Sequence, residues 1–238
     1  LIYNKNFFYN FLPSFLIILS LILVSFNNFN FTKHKIQIFG NTRPIIIFYS
    51  FFALATIIFN LLIIFDNFQI LKIFKYFLLT LCIIFLFNYK FFINNFKELK
   101  ISRDEVLILI SLVLFFFISI LPLSDTDSIA VHLRSATYIF LNGLKNLDFA
   151  LNHEFLSISN AEILLLFSPI LQSDNFGSQL NFFALILFIL VYRNKFSFIQ
   201  FILTCPVMIF LVSTQKLQLF FGILYLYLFI LVFEKKIK

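Results

Sequence analysis

Tryptophan is absent, methionine occurs once, cysteine twice, glycine four times and proline five times in a chain of 238 residues. The most consequential shortage is charge: Asp, Glu, Lys and Arg make up 12% of the chain, against about 25% in an ordinary soluble domain. That excludes a conventional water-soluble fold. So few glycines leave no Gly-rich phosphate-binding loop. Cys82 and Cys205 make no disulfide or zinc pattern; both lie inside apolar runs, where a buried, inert thiol is expected. Without Trp, the nine Tyr are the aromatic residues left for a membrane interface.

What remains is apolar. The chain is 61% hydrophobic with a mean hydropathy of +1.00, which places it in a lipid bilayer. Its 40 Phe fit AT-rich codon usage and carry little individual meaning. The net charge of +7 is spread thinly between apolar runs rather than gathered in a patch, so no nucleic-acid partner is expected. The chain opens at Leu1 without an initiator Met and stops just after an apolar run, which reads as a piece of a longer protein.

A membrane span needs about 20 apolar residues. Seven runs qualify or come close: 11–26, 45–65, 76–92, 106–123, 177–192, 198–212 and 219–233. They are continuous rather than alternating, which predicts an all-α polytopic membrane protein of about seven transmembrane helices. Orientation follows from Lys and Arg in the loops. Lys90, Lys97, Lys100, Arg103, Lys33, Lys35, Arg43, Arg193, Lys195, Lys235, Lys236 and Lys238 fall on one side, which is then cytoplasmic. Lys5, Lys72, Lys75, Arg134, Lys145 and Lys216 fall on the other. This two-to-one bias puts the long loop 124–176 outside, on the extracytoplasmic face of what is expected to be a bacterial inner membrane.

That loop is not featureless. Ile129, Leu133, Ala136 and Phe140 recur at helical spacing after Asp127 or Ser128 as a cap, and Gly143 supplies a stop, so an interfacial helix is expected there. A second apolar piece, 161–172, is too short to span and contains Pro169; it reads as interfacial or re-entrant. Two parts follow: membrane helices in 1–105, and a core in 106–238 that carries the external loop.

Ser124-Asp125-Thr126-Asp127-Ser128 is the most informative stretch, placing two of only 11 acidic residues directly after an apolar run. Acids at the end of a membrane helix are costly and mark a functional site. The plain alternative is that they cap the next helix. Chemically, Asp125 and Asp127 suit a pair that deprotonates an acceptor or holds a divalent cation against a phosphate. His132 falls roughly on the same helical side, and Arg134 points away, towards lipid phosphate or solvent. Asn152-His153-Glu154 is a polar cluster in the same loop, and Glu162 suits a helix start. Ser213-Thr214-Gln215-Lys216-Leu217-Gln218 forms the second external loop, where Lys216 can neutralise a phosphate or snorkel. The candidate catalytic residues are Asp125 and Asp127; the candidate substrate-binding residues are His132, Arg134, His153, Glu154, Gln215 and Lys216.

Pro122-Leu123-Ser124-Asp125-Thr126-Asp127-Ser128-Ile129-Ala130-Val131-His132-Leu133, with Tyr138, Asn142-Gly143 and Asn175-Phe176-Gly177-Ser178-Gln179-Leu180, resembles the first external loop of GT-C type membrane glycosyltransferases. These include protein mannosyltransferases, aminoarabinose transferases and bacterial relatives. The resemblance covers about 95 residues, 122–218. It departs from the pattern at Val131, where relatives often carry Tyr, and in having four spans before the loop. It implies transfer of a sugar from a polyprenyl-phosphate carrier to an extracytoplasmic acceptor, with one of Asp125 and Asp127 as base or cation-linked carboxylate and Lys216 near the lipid phosphate. Two other classes compete. A transporter or flippase for a lipid-linked substrate would carry charges mid-span and broken helices; a non-catalytic structural subunit would use the loop to bind a partner.

Overall fold

The computed structural model describes residues 7–25, 43–65, 74, 76, 78–80, 83, 103–121, 128–143, 160–192 and 196–237. Every element among them is helical. In chain order these are α1 (Phe7–Ser25), α2 (Arg43–Ile64), α3 (Arg103–Ile120), a π-helical turn (Ser128–Leu133) running into α4 (Arg134–Asn142), α5 (Asn160–Leu164), α6 (Phe167–Leu171), α7 (Phe176–Val191), α8 (Phe196–Thr204), α9 (Val207–Ser213) and α10 (Gln218–Ile237).

Helix α7 is the axis of the bundle, all of it buried except Ile186, Leu190 and Val191. Helices α1, α3, α9 and α10 pack around it. Phenylalanine fills the space between them. Phe167 is ringed by Phe51, Phe52, Phe59, Phe74 and Phe176, and Phe15 meets Phe116 and Phe183. The outer surface is apolar as well: Leu54, Ile57 and Leu61 of α2 and Leu107, Ile110 and Leu114 of α3 are all about half or more exposed. An apolar exterior of this extent marks a protein that associates with a membrane.

Among the described residues one helix, Pro44–Ile64, is long and apolar enough to cross a membrane. Two bent pairs add up to two more if each counts as one span: Ala161–Leu171 with Phe176–Val191, at 113°, and Phe196–Thr204 with Val207–Ser213, at 76°. The run expected as one span over 198–212 is therefore broken. Pro206 stands at the break, at the N-cap of α9, where its missing N–H and ring prevent α8 from continuing. Cys205, expected to be buried, is half-buried there. The expected run at 76–92 lies mostly outside the described residues.

The segment 161–172 forms α5 and α6, fully packed in the interior from Leu164 to Leu171. It ends where Gln172 adopts a left-handed backbone (φ 55°, ψ 44°), which turns the chain into α7. Helix α4 ends as expected at Gly143, whose φ of 73° an L side chain resists. Its buried face is Leu133, Ser135, Ala136 and Ile139, one residue round from the expected Phe140. One contact departs from a simple alternating bundle: Tyr49 Oη donates to the Phe220 carbonyl at 2.7 Å. This joins the second turn of α2 to the first turn of α10, two places that strict alternation would put at opposite ends.

Candidate functional site

An open cavity of about 740 Å³ lies where α4, α5 and the α9–α10 turn meet, lined by His132, Ala161, Glu162, Leu165, Gln215, Lys216, Leu217, Gln218, Phe221, Gly222 and Tyr225. Three expected substrate-binding residues, His132, Gln215 and Lys216, thus share one wall system. Glu162, read from sequence only as a helix-starting acid, joins them. A smaller cavity of about 290 Å³ shares Phe221 with the first and is walled by Tyr49, Phe52, Thr56, Ile57, Asn60, Leu164 and Leu224 among others.

His132 sits in the π-helical turn, a widened geometry that recurs at functional sites. Its Nδ1 lies 2.8 Å from Glu162 Oε1, across 30 residues of sequence. Ser135 Oγ donates to the Val131 carbonyl at 2.6 Å and Thr137 Oγ1 to that of Leu133 at 2.7 Å, bonds that brace this junction. Arg134 lies on the exposed side of α4 and does not line the cavity. Asp125, Asp127, His153 and Glu154 lie outside the described residues.

The opposite wall is fixed from below by α7. Gln215, fully buried, accepts from the Gly177 N–H at 2.7 Å through Oε1 and donates through Nε2 to the Asp174 carbonyl. The two N–H of Asn181 Nδ2 are shared among the carbonyls of Leu211, Thr214 and Lys216 at 3.0, 3.2 and 2.9 Å, and its Oδ1 accepts from Phe220 N–H at 3.0 Å. That one side chain closes both ends of the turn carrying Lys216. At the same end, Asn175 Nδ2 donates to the carbonyls of Ser119 and Leu121 at 3.2 and 2.6 Å, and Ser178 Oγ reaches Ser119 O at 2.9 Å. The last turn of α3 leaves carbonyls without helical partners, and α7 supplies donors for them. Gln179 Nε2 donates to Phe11 O at 3.3 Å, which brings the start of α1 into the same cluster.

In the sequence, Asn175 to Leu180 stand out as part of a family likeness. The signal for their role was present: Asn175, Ser178 and Asn181 recur every third residue, beside Gln179, at the start of a helix that is apolar from Phe182 onward, so the three lie towards one side. Glycine at 177 is imposed by geometry, because a Cβ there would lie 2.2 Å from Gln215 Oε1 and 2.8 Å from the Gln215 carbonyl oxygen. Gly177→Ala should therefore cost about 1–3 kcal/mol by overpacking, read as a lowered Tm in detergent by circular dichroism. An unchanged Tm would mean that Gln215 does not hold this position.

Among the described residues no three His, Cys, Asp or Glu side chains come together as a cation site. His132 and Glu162 are engaged with each other. The cavity offers instead one carboxylate–imidazole pair, Lys216 and Gln218 beside apolar walls, a set suited to an anionic head group attached to hydrocarbon; the Gln215 amide, fully buried and bonded to Gly177 and Asp174, shapes the wall rather than meeting a ligand. No family model, no curated protein and no solved structure matches the chain.

Proposed function

We propose that this chain is a GT-C type membrane glycosyltransferase that moves a sugar from a polyprenyl-phosphate carrier to an acceptor on the outer face of a bacterial inner membrane. The observation that carries the reading is the gathering of His132, Glu162, Gln215 and Lys216 around one cavity. The acidic pair belongs, in sequence, between the anchored end of α3 and the helix that carries His132. In this reading loop 124–176 is external by the Lys and Arg bias, and α2 departs from the strictly alternating order of seven crossings, because Tyr49 meets Phe220 at the start of α10. An external site has no access to nucleotide sugars, which leaves lipid-linked donors. Lys216 meets the carrier phosphate, and the slot beside Phe221 suits the carrier's hydrocarbon. Asp125 and Asp127 act on the acceptor or on a cation held against the phosphate.

A charge-assisted hydrogen bond is worth about 1.5–3 kcal/mol, and about 1.4 kcal/mol is tenfold in affinity. Lys216→Met keeps the apolar stem and removes the charge, so KM for a polyprenyl-phosphate sugar should rise about tenfold to a hundredfold with kcat changed less. Unaltered KM would separate Lys216 from the phosphate. One observation favours the transporter reading as a second choice: the breaks at 113° and 76°, since discontinuous helices recur in transporters. Movement of the carrier-linked sugar across a liposome bilayer, with no new glycosidic bond, would establish it.

A further inference from the structure

We infer that His132, oriented by Glu162, is the residue that takes the acceptor's proton, an assignment that rests on the transferase reading. Glu162 is nearly buried, and a buried carboxylate needs a partner that compensates its lost hydration. His132 Nδ1, at 2.8 Å, is such a partner. With a carboxylate as acceptor, the tautomer that satisfies this contact carries its proton on Nδ1 and leaves Nε2, on the far edge of the ring, with its lone pair. Nε2 makes no hydrogen bond among the described residues, whereas the ring lines the cavity. The ring is also the more open partner: side-chain exposure is 21% for His132 and 11% for Glu162. A carboxylate that fixes the tautomer and later stabilises the imidazolium is how a histidine base is prepared.

The acceptor oxygen or nitrogen forms a bond to sugar C1 and releases its proton to Nε2. The bond from C1 to the phosphate oxygen breaks, and its electron pair leaves with the polyprenyl phosphate, next to Lys216. The imidazolium, held by Glu162, then returns its proton to water. His132 is thus the catalytic residue and Glu162 its positioning residue.

The test uses the full chain in proteoliposomes, with radiolabelled polyprenyl-phosphate mannose and arabinose as donors and a cell-envelope extract as acceptor. His132→Ala should lose about 100-fold or more in kcat while donor binding stays the same, and added imidazole should restore part of the rate. Glu162→Gln retains an oxygen for Nδ1–H and should lower kcat without raising donor KM. A pair that merely joins α4 to α5 would give no imidazole rescue. If the wild type transfers sugar and His132→Ala does too, or is not rescued, the proton assignment is overturned and the transferase reading stands. If the wild type transfers neither sugar from its carrier, both fall.

Discussion

Replacing Asn181 with leucine should lower stability by about 3 kcal/mol, since two donated hydrogen bonds shared among three carbonyls and one accepted bond are lost, at about 0.6 kcal/mol each in membrane proteins, with larger penalties for backbone groups left unpaired. At about 2–4 °C per kcal/mol for a chain of this size, Tm falls by roughly 6–12 °C. Leucine keeps the branching of asparagine, so no cavity opens, but its two methyl groups are bulkier than the amide, and overpacking at this fully buried position adds to the loss of polar contacts. The carbonyls of Leu211, Thr214 and Lys216 and the N–H of Phe220 are all served by this amide. Without it the turn between α9 and α10 is released, and the cavity wall that holds Gln215 and Lys216 goes with it. Thermal circular dichroism in detergent measures the effect. A shift below about 2 °C would mean that neighbouring groups or water replace the amide.

A large effect on activity is also expected from the acidic pair. Asp125→Asn with Asp127→Asn should reduce sugar transfer at least about 100-fold while Tm holds steady. The outcome separates two explanations of the same residues. Acids that only cap the helix entering α4 would contribute about 0.3–1 kcal/mol through its dipole, so their loss would lower Tm slightly and leave turnover intact. Acids that act on the acceptor would do the reverse. Turnover and Tm measured on one preparation distinguish them.

Much of the helical architecture was legible in the sequence because apolar runs and punctuation are local signals. Gly143 stops α4 where a positive φ is required, and the short length of 161–172 with Pro169 pointed to something other than a full span. Hydropathy hid the break between α8 and α9, since averaging over 198–212 counts Pro206 as one more residue although its ring ends a helix. The site was half legible. His132, Gln215 and Lys216 were named from residue type and loop position. Glu162 was not, because its partner lies 30 residues away and a helix-starting acid has a sufficient local explanation. The role of Asn175, Ser178 and Asn181 was hidden for a related reason. Their partners are backbone carbonyls and an N–H of α3, α9 and α10, and sequence does not show which helix ends a side chain will meet.

The chemical fate of the sugar tests the account most directly. Full-length protein in proteoliposomes, given a radiolabelled polyprenyl-phosphate sugar and an envelope acceptor, should yield label in a new glycosidic bond together with free polyprenyl phosphate, and the Asp125→Asn, Asp127→Asn protein should yield neither. Label that crosses the bilayer still attached to its carrier, at equal rates in both proteins, would contradict it.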